Sequence, residues 1–166
     1  FVKSRHLDDK ASVAVLMGVL KEMAEKNVKP ESDIKVLISN YEEVVFGASC
    51  IPGDIVEMLA VDMGAIGEDL NGDEYSVSIC AKDSSGPYDY GMTNRLIGIA
   101  KDKGIKYAVD VFPHYGSDVS SALRGGNDIR GALIGPGVHA SHGMERTHKE
   151  ALVGTLELIK GFVGVK

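Results

Sequence analysis

The chain has 166 residues, of which 44% are hydrophobic, so it is long enough to bury one core and belongs to neither the disordered nor the fibrous class. Its 18 lysines and arginines are outnumbered by 24 aspartates and glutamates, and a net charge of −6 without a basic cluster argues against a nucleic-acid partner. The longest apolar run, from Val13 to Leu20, is too short to cross a bilayer, so no membrane partner is expected.

Helix-like and strand-like patterns alternate along the chain. The 3.6-residue period of apolar residues predicts a first helix from Ala11 to Lys26, and an alternating pattern predicts a strand from Ile34 to Ser39. Later runs predict, in chain order, strands at 55–61, 75–81, 106–112 and 132–135 and helices at 91–103, 119–124 and 146–163. This order is typical of a single α/β domain over residues 1–166, with helices covering a mainly parallel or mixed sheet.

The two cysteines, Cys50 and Cys80, are far apart, which fits a reducing compartment better than a disulfide framework. The first ten residues are charged and lack the apolar segment of a signal peptide, so a cytoplasmic location is expected. The chain begins at Phe1 rather than at a methionine, which leaves open a segment upstream of it.

Four polar clusters stand at predicted strand ends or helix starts, where α/β domains usually carry their sites. In chain order they contain Asp8 and Asp9, Glu42 and Glu43, Asp62, and His139 and His142. Carboxylates and imidazoles that converge from several strand ends form a ligand set suited to Zn²⁺, Co²⁺ or Mn²⁺. Each cluster alone has a plainer explanation, because aspartate is a favoured helix N-cap and a histidine near a helix start is often structural.

The pair Glu42 and Glu43 directly follows the predicted strand at 34–39. Because neighbouring side chains on an extended backbone point in opposite directions, a metal ligand and a general base are the roles that such a pair can divide. A serine hydrolase is a poor alternative, since the chain has no Gly-X-Ser-X-Gly segment. Phosphate binding is unsupported too, because the Gly-rich loops lack a Gly-Lys-Ser/Thr ending.

Five short segments, each weak alone, form a specific pattern together. They are SRHLDDK at 4–10, YEEV at 41–44, VDM at 61–63, FPHYGSD at 112–118 and SHGMERTH at 141–148. In this order and spacing they resemble the glutamyl and deblocking aminopeptidases, a family of two-metal peptidases that includes the tetrahedral aminopeptidases and was once misnamed endoglucanases. The match runs essentially from Phe1 to the end of the chain.

The resemblance implies a three-layer catalytic domain, with helices on both faces of a mixed sheet, and a specific set of metal ligands. Asp8 is implied to bridge two divalent ions, zinc or cobalt with manganese as a third option. Glu43 and His142 are implied to complete one metal site, and Asp62 to bind the other ion. In related metallopeptidases the peptide bond after the bridging aspartate is cis, so the same is expected between Asp8 and Asp9.

The family pattern also implies a general base, and it indicates which of two histidines is the metal ligand. Glu42 matches the base, which takes a proton from the bridging water and later delivers it to the leaving amine. The family's ligand histidine follows the Ile-Gly of the preceding strand at a short fixed distance, which favours His142 and leaves His139 as the fallback.

Weaker assignments concern five further residues. Asp9 is expected to orient a ligand or to cap the first helix. The segment at 113–118 either lines the substrate pocket or is an ordinary loop, and the two interpretations are equally plausible. Its candidate pocket residues are His114, Tyr115, Ser117 and Asp118.

In the family the second metal is also held by a histidine from an upstream His-X-Asp motif, and His6 belongs to the downstream motif instead. The resemblance therefore implies the C-terminal portion of a catalytic domain without its N-terminal part and its insertion domain. At most one tight metal site is expected in this chain as written.

The activity implied by the resemblance is removal of amino-terminal residues from peptides, by a homo-oligomer built from dimers and reaching a dodecamer. Two other functions stay open. One is a different hydrolase on the same scaffold, either a carboxypeptidase or a deacylase. The other is a non-catalytic piece that contributes packing or assembly surface.

Overall fold

The structure, a computed structural model, describes residues 1–165. Within this part of the chain the helices are α1 Leu7–Glu25, α2 Tyr90–Asp102, α3 Asp118–Arg124 and α4 Lys149–Phe162. The strands are β1 Val2–Ser4, β2 Glu57–Val61, β3 Gly64–Ala65, β4 Val77–Asp83, β5 Gly86–Pro87, β6 Tyr107–Val111, β7 Arg130–Val138 and β8 Glu145–Thr147. Of the helices described, none is long and apolar enough to cross a membrane.

The main sheet is mixed, as predicted. β7 runs parallel to β2 through pairs such as Ala60 with Leu133, and antiparallel to β4 through pairs such as Ile79 with Ile134. β4 pairs in parallel with β6, so the long strands follow the order β2-β7-β4-β6. The short strands β3 and β5 pair with β7 and β4 respectively.

Helices cover both faces of this sheet. On one face, α1, α2 and α4 pack on β4 and β7 and form a core that includes Val15, Leu96, Leu158, Ile79 and Ile134. On the other face, α3 contributes Val119 to a second core with Ala60, Cys80 and Leu133. Adjacent residues such as Ile79 and Cys80 serve opposite cores because side chains alternate along a strand. This arrangement confirms the three-layer α/β fold.

The predicted strand at 34–39 is wrong for this chain. The segment has no regular secondary structure, and Ile34, Val36, Leu37 and Ile38 are 37–53% exposed. Its apolar residues fit a strand, but a strand also needs a neighbour that pairs with its backbone N–H and C=O groups. No strand among residues 1–165 pairs with it.

A small antiparallel ribbon joins the start of the chain to the segment that precedes α4. β1 pairs with β8, with Ser4 opposite Glu145 and Val2 opposite Thr147. For this reason α4 begins at Lys149 instead of at residue 146, as predicted from periodicity. The ribbon brings the start of α1 next to the loop between β7 and β8.

Candidate metal centre

One group of possible ligands joins three segments that are distant in the sequence. Asp8 stands at the start of α1, Glu43 lies in a 3-10 turn at Glu42–Val44, and His142 lies in the loop between β7 and β8. Nε2 of His142 is 3.3 Å from Oδ2 of Asp8 and 3.0 Å from Oε2 of Glu43. The three ligand atoms lie within 4.8 Å of one another. The fold thus brings together the three residues predicted to hold one metal ion.

A second group shares Asp8 with the first. Carboxylate oxygens of Asp8, Asp9 and Asp62 also lie within 4.8 Å of one another. Asp62 directly follows β2, and its backbone N–H donates to the carbonyl of Ile134 at 2.9 Å while its own carbonyl accepts from Ser12 Oγ at 2.5 Å. Asp8 therefore stands between two ligand groups, which is the position that the resemblance implies for a bridging carboxylate.

Close packing of β7 against Asp62 requires a glycine. A Cβ at Gly135 would overlap the backbone of Asp62 and Met63, so any larger residue would push the end of β2 away. The backbone of Asp62 is thus held from one side by Ser12 of α1 and from the other by β7.

The first turn of α1 is shaped for the site and is not a regular helix start. The peptide bond between Asp8 and Asp9 is cis, as predicted, and the φ/ψ angles of Asp8 are −83° and 102°. The expected role of an aspartate as helix cap is wrong, because the N-cap position is His6 and the described chain shows no side-chain cap there. Both carboxylates are therefore available to the site.

The electrostatics of the site favour binding of a cation. Burial raises the pKa of Asp8, and burial together with Glu42 and Asp8 raises the pKa of Asp62. Burial and the neighbouring charge of Asp62 raise the pKa of Asp9 to about 9. Carboxylates crowded in this way cannot all stay ionised unless a positive charge compensates them.

The donor set fits a divalent cation. Two carboxylates and one imidazole converge at the first group, and three protein ligands with room for water are usual in a catalytic zinc site. At the second group, Oδ1 of Asp9 is buried and has no hydrogen-bond partner among residues 1–165. A buried oxygen without a partner is costly, and a bound cation would satisfy it.

Glu42 lies beside Glu43 but outside both ligand groups. The two glutamates occupy a 3-10 turn instead of the expected extended segment, yet consecutive residues of such a turn also point in different directions. Burial and the nearby carboxylate of Asp118 raise the pKa of Glu42 to about 7.

Among the weaker candidates, the structure brings Tyr115 and Asp118 to the site. The hydroxyl of Tyr115 donates to the carbonyl of Met63 at 2.8 Å, directly after Asp62. Asp118 accepts a 2.7 Å hydrogen bond from Ser39 and has a buried, unpartnered Oδ1 within the described residues.

The structure does not place the other three candidates among the ligands. His114 is exposed in a loop. Ser117 forms the capping box of α3 with Ser120 and is hydrogen-bonded to Tyr88, which is a structural role. His139 is exposed and pairs through its backbone with Arg146, and of the two histidines it is His142 that lies beside Asp8 and Glu43.

Two residues that touch the site were not predicted. Ser141 Oγ donates to Oδ2 of Asp8 at 2.9 Å, and the carboxylate of Glu145 accepts from the backbone N–H groups of Asp8 and His142, each at 3.0 Å. Glu145 belongs to the SHGMERTH segment, but a glutamate beside a loop is usually a surface charge. Its burial, which the structure shows, is what marks it as different.

The fold of this chain is similar to that of solved aminopeptidases. The TET1 peptidase of Pyrococcus horikoshii has a TM-score of 0.79 at 21% identity, over 97% of this chain and 49% of that chain. The aminopeptidase APDkam598 of Desulfurococcus kamchatkensis has a TM-score of 0.80 at 21% identity, over 97% of this chain and 48% of that chain. These similarities concern the fold alone.

The chain belongs to the M42 glutamyl aminopeptidase family, whose model matches residues 1–158. A relative named "Putative aminopeptidase YhfE", from Bacillus subtilis (strain 168), is 51% identical over 164 residues. That match covers 98% of this chain and 47% of YhfE, so the chain spans about half the length of this curated relative.

Proposed function

We propose that this chain is the part of a metal-dependent aminopeptidase that supplies most of its metal ligands. The observation that carries the proposal is the convergence of Asp8, Glu43 and His142, from three distant segments, on one point. Membership of the M42 family and the similarity to YhfE support the same activity.

In this proposal the metal ligands are Asp8, Glu43, Asp62 and His142. Asp8, Glu43 and His142 hold one ion, and Asp8 bridges to a second ion that is also bound by Asp62. The ions are zinc or cobalt, with manganese as a third option, because the donors are carboxylates and an imidazole. Bound there, they would lower the pKa of a water and polarise the scissile carbonyl.

Glu42 is the proposed general base. It is next to a ligand without belonging to the ligand groups, so its carboxylate is free to accept a proton from the attacking water. It then delivers this proton to the leaving amine. Tyr115 holds the backbone beside Asp62 through its hydrogen bond to Met63, and Asp118 borders Glu42 on the side of α3. Asp9 stands beside Asp8 and Asp62 and orients these ligands.

The proposed substrates are peptides with a free amino terminus, and the proposed assembly is a homo-oligomer built from dimers. The structure of P. horikoshii TET1 is described as a tetrahedron or a large octahedral shell, and another TET1 structure as a dodecamer. Light scattering on the purified protein measures the oligomer mass directly.

The test of this function is a substrate panel with the protein in its longest natural form. Aminoacyl, N-acyl and carboxy-terminal test substrates are compared before and after chelation and after addition of Zn²⁺ or Co²⁺. The proposal predicts metal-dependent release of amino-terminal residues only. Cleavage of the acyl or carboxy-terminal substrates would instead indicate a deacylase or a carboxypeptidase.

A further inference from the structure

Glu145 is a buried carboxylate that is hydrogen-bonded to two of the segments that form the candidate metal site. It is 1% exposed and begins β8, three residues after His142. Its Oε2 accepts from the backbone N–H of Asp8 at 3.0 Å, and its Oε1 accepts from the backbone N–H of His142 at 3.0 Å. One carboxylate therefore fastens two ligand-bearing segments that are distant in the sequence.

No lysine, arginine or histidine side chain among residues 1–165 forms an ion pair with Glu145. Arg146, the next residue, forms its ion pair with Glu74. A buried carboxylate is costly unless it is hydrogen-bonded, and each of its two oxygens accepts one hydrogen bond from a backbone N–H group. These two hydrogen bonds account for the burial of Glu145.

What Glu145 holds is the relative placement of two ligands. The backbone of His142 has a positive φ of 63°, a conformation that is uncommon for residues other than glycine. Asp8 lies in the first turn of α1, and its φ/ψ angles are not helical. Neither segment has regular backbone geometry at that point, so the carboxylate that both amides share adds a direct restraint to the one that the β1–β8 ribbon supplies.

We infer that Glu145 is a positioning residue, which presets Asp8 and His142 for one cation by binding both of their backbone amides. The inference rests on the proposed metal site. The negative charge of Glu145, next to the proposed ligands, also attracts a cation, so both its charge and its hydrogen bonds favour metal binding.

The variant that tests this is Glu145→Gln. The side chain keeps its size, but one oxygen is replaced by an amino group that cannot accept, so one of the two backbone N–H groups loses its partner. We expect Zn²⁺ to bind the variant roughly 10- to 100-fold more weakly than the unchanged chain in a calorimetric titration, the usual effect of losing a partner behind a metal ligand.

The matched control is Glu74→Gln. Glu74 is also a glutamate with little exposure, and it binds Arg146 of the same ribbon without touching a ligand. A general loosening of the ribbon would weaken Zn²⁺ binding in both variants. We expect a change of less than about threefold in the control, by the same scale of effects.

Two spectroscopic measurements separate positioning from stability. The visible absorption of bound Co²⁺ reports ligand geometry, and we expect it to change in Glu145→Gln and not in Glu74→Gln. In the metal-free unchanged chain, NMR hydrogen exchange should show the amides of Asp8 and His142 protected relative to the amide of Ser141. The hydrogen-exchange measurement needs no variant, so it tests whether Glu145 binds both amides even when Glu145→Gln fails to fold.

Equal Zn²⁺ affinity and equal Co²⁺ spectra in the unchanged chain and Glu145→Gln would overturn the inference and leave the metal site standing. Unprotected amides at Asp8 and His142 would also overturn it. An unchanged chain that binds no Zn²⁺ would overturn the metal site and the inference with it.

Discussion

Asp8 and His142 lie near opposite ends of the chain, yet Oδ2 of the one is 3.3 Å from Nε2 of the other. The β1–β8 ribbon creates this proximity, because Asp8 follows β1 by four residues and His142 precedes β8 by three. The carboxylate of Asp8 is largely buried, with 8% of its side chain exposed, whereas the imidazole is 70% exposed. Of these two proposed ligands, Asp8 is thus held inside the protein and His142 is accessible to solvent.

Replacement of His142 by alanine should abolish tight Zn²⁺ binding by the chain. It removes the imidazole of the first ligand group, so the loss should exceed the roughly 10- to 100-fold effect of an outer partner. Calorimetric titration measures it, with His139→Ala as the matched control, since His139 is also exposed and close in sequence but lies outside the ligand group. A loss of binding in His139→Ala with retention in His142→Ala would transfer the ligand role.

The 166-residue chain should bind one equivalent of Zn²⁺ or Co²⁺ tightly. Asp8, Glu43 and His142 give the first ion three protein ligands, whereas the second group offers carboxylates alone. Borderline metals bind such a site less well when it lacks an imidazole. Titration that reaches two tight equivalents would mean that Asp9, with its unpartnered oxygen, serves as a ligand. In that case Asp9→Asn should return the count to one.

Glu42→Gln should separate metal binding from turnover. The substitution removes the proposed base but no member of either ligand group, so the metal content should stay nearly unchanged. Turnover of an aminoacyl substrate by the protein in its longest natural form should fall by a factor of roughly 10² to 10⁴. Metal analysis and kinetics are measured on the same preparation. Retained turnover would assign the base role to another residue.

The metal-free chain should lose stability as the pH rises from about 4 to about 9. Burial raises the pKa of Asp9 from 3.8 to about 9 and that of Glu42 from 4.5 to about 7, so the folded state binds more protons than the unfolded state in this window. The slope of the unfolding free energy against pH is proportional to the number of protons bound by the unfolded state minus the number bound by the folded state. This difference is negative here, so the free energy of unfolding decreases as the pH rises. Thermal unfolding at pH 5, 6.5 and 8 measures this.

The control for the pH effect uses one variant inside the site and one outside it. Asp9→Asn should flatten the decrease, since it removes one of the protonated groups. Asp54→Asn should leave the change between pH 5 and pH 8 nearly unaffected, because the hydrogen bond from Lys35 lowers the pKa of Asp54 and the variant removes no group whose pKa is raised by folding. Zn²⁺ should raise the melting temperature more at pH 8 than at pH 5, as protons compete for the carboxylates at low pH.

Local patterns in the sequence were sufficient for most of the fold. The apolar period of α1 and the apolar runs of β4 and β7 predicted those elements because each buries a continuous face against the rest of the core. The segment at 34–39 shows where this fails. Its side-chain pattern is that of a strand, but strand formation also depends on a backbone partner, and a pattern of side chains carries no information on that partner.

For the candidate site, the types of the proposed ligands and their order along the chain could be read from the sequence, because carboxylate and imidazole chemistry belongs to single residues. The contacts between these residues depend on the folded chain. Pairing of β1 with β8 brings Asp8 to His142, and the burial of Glu145 converts an ordinary charged residue into the link between them. Such contacts arise from pairing between distant segments and from desolvation, neither of which is a property of any short stretch of sequence.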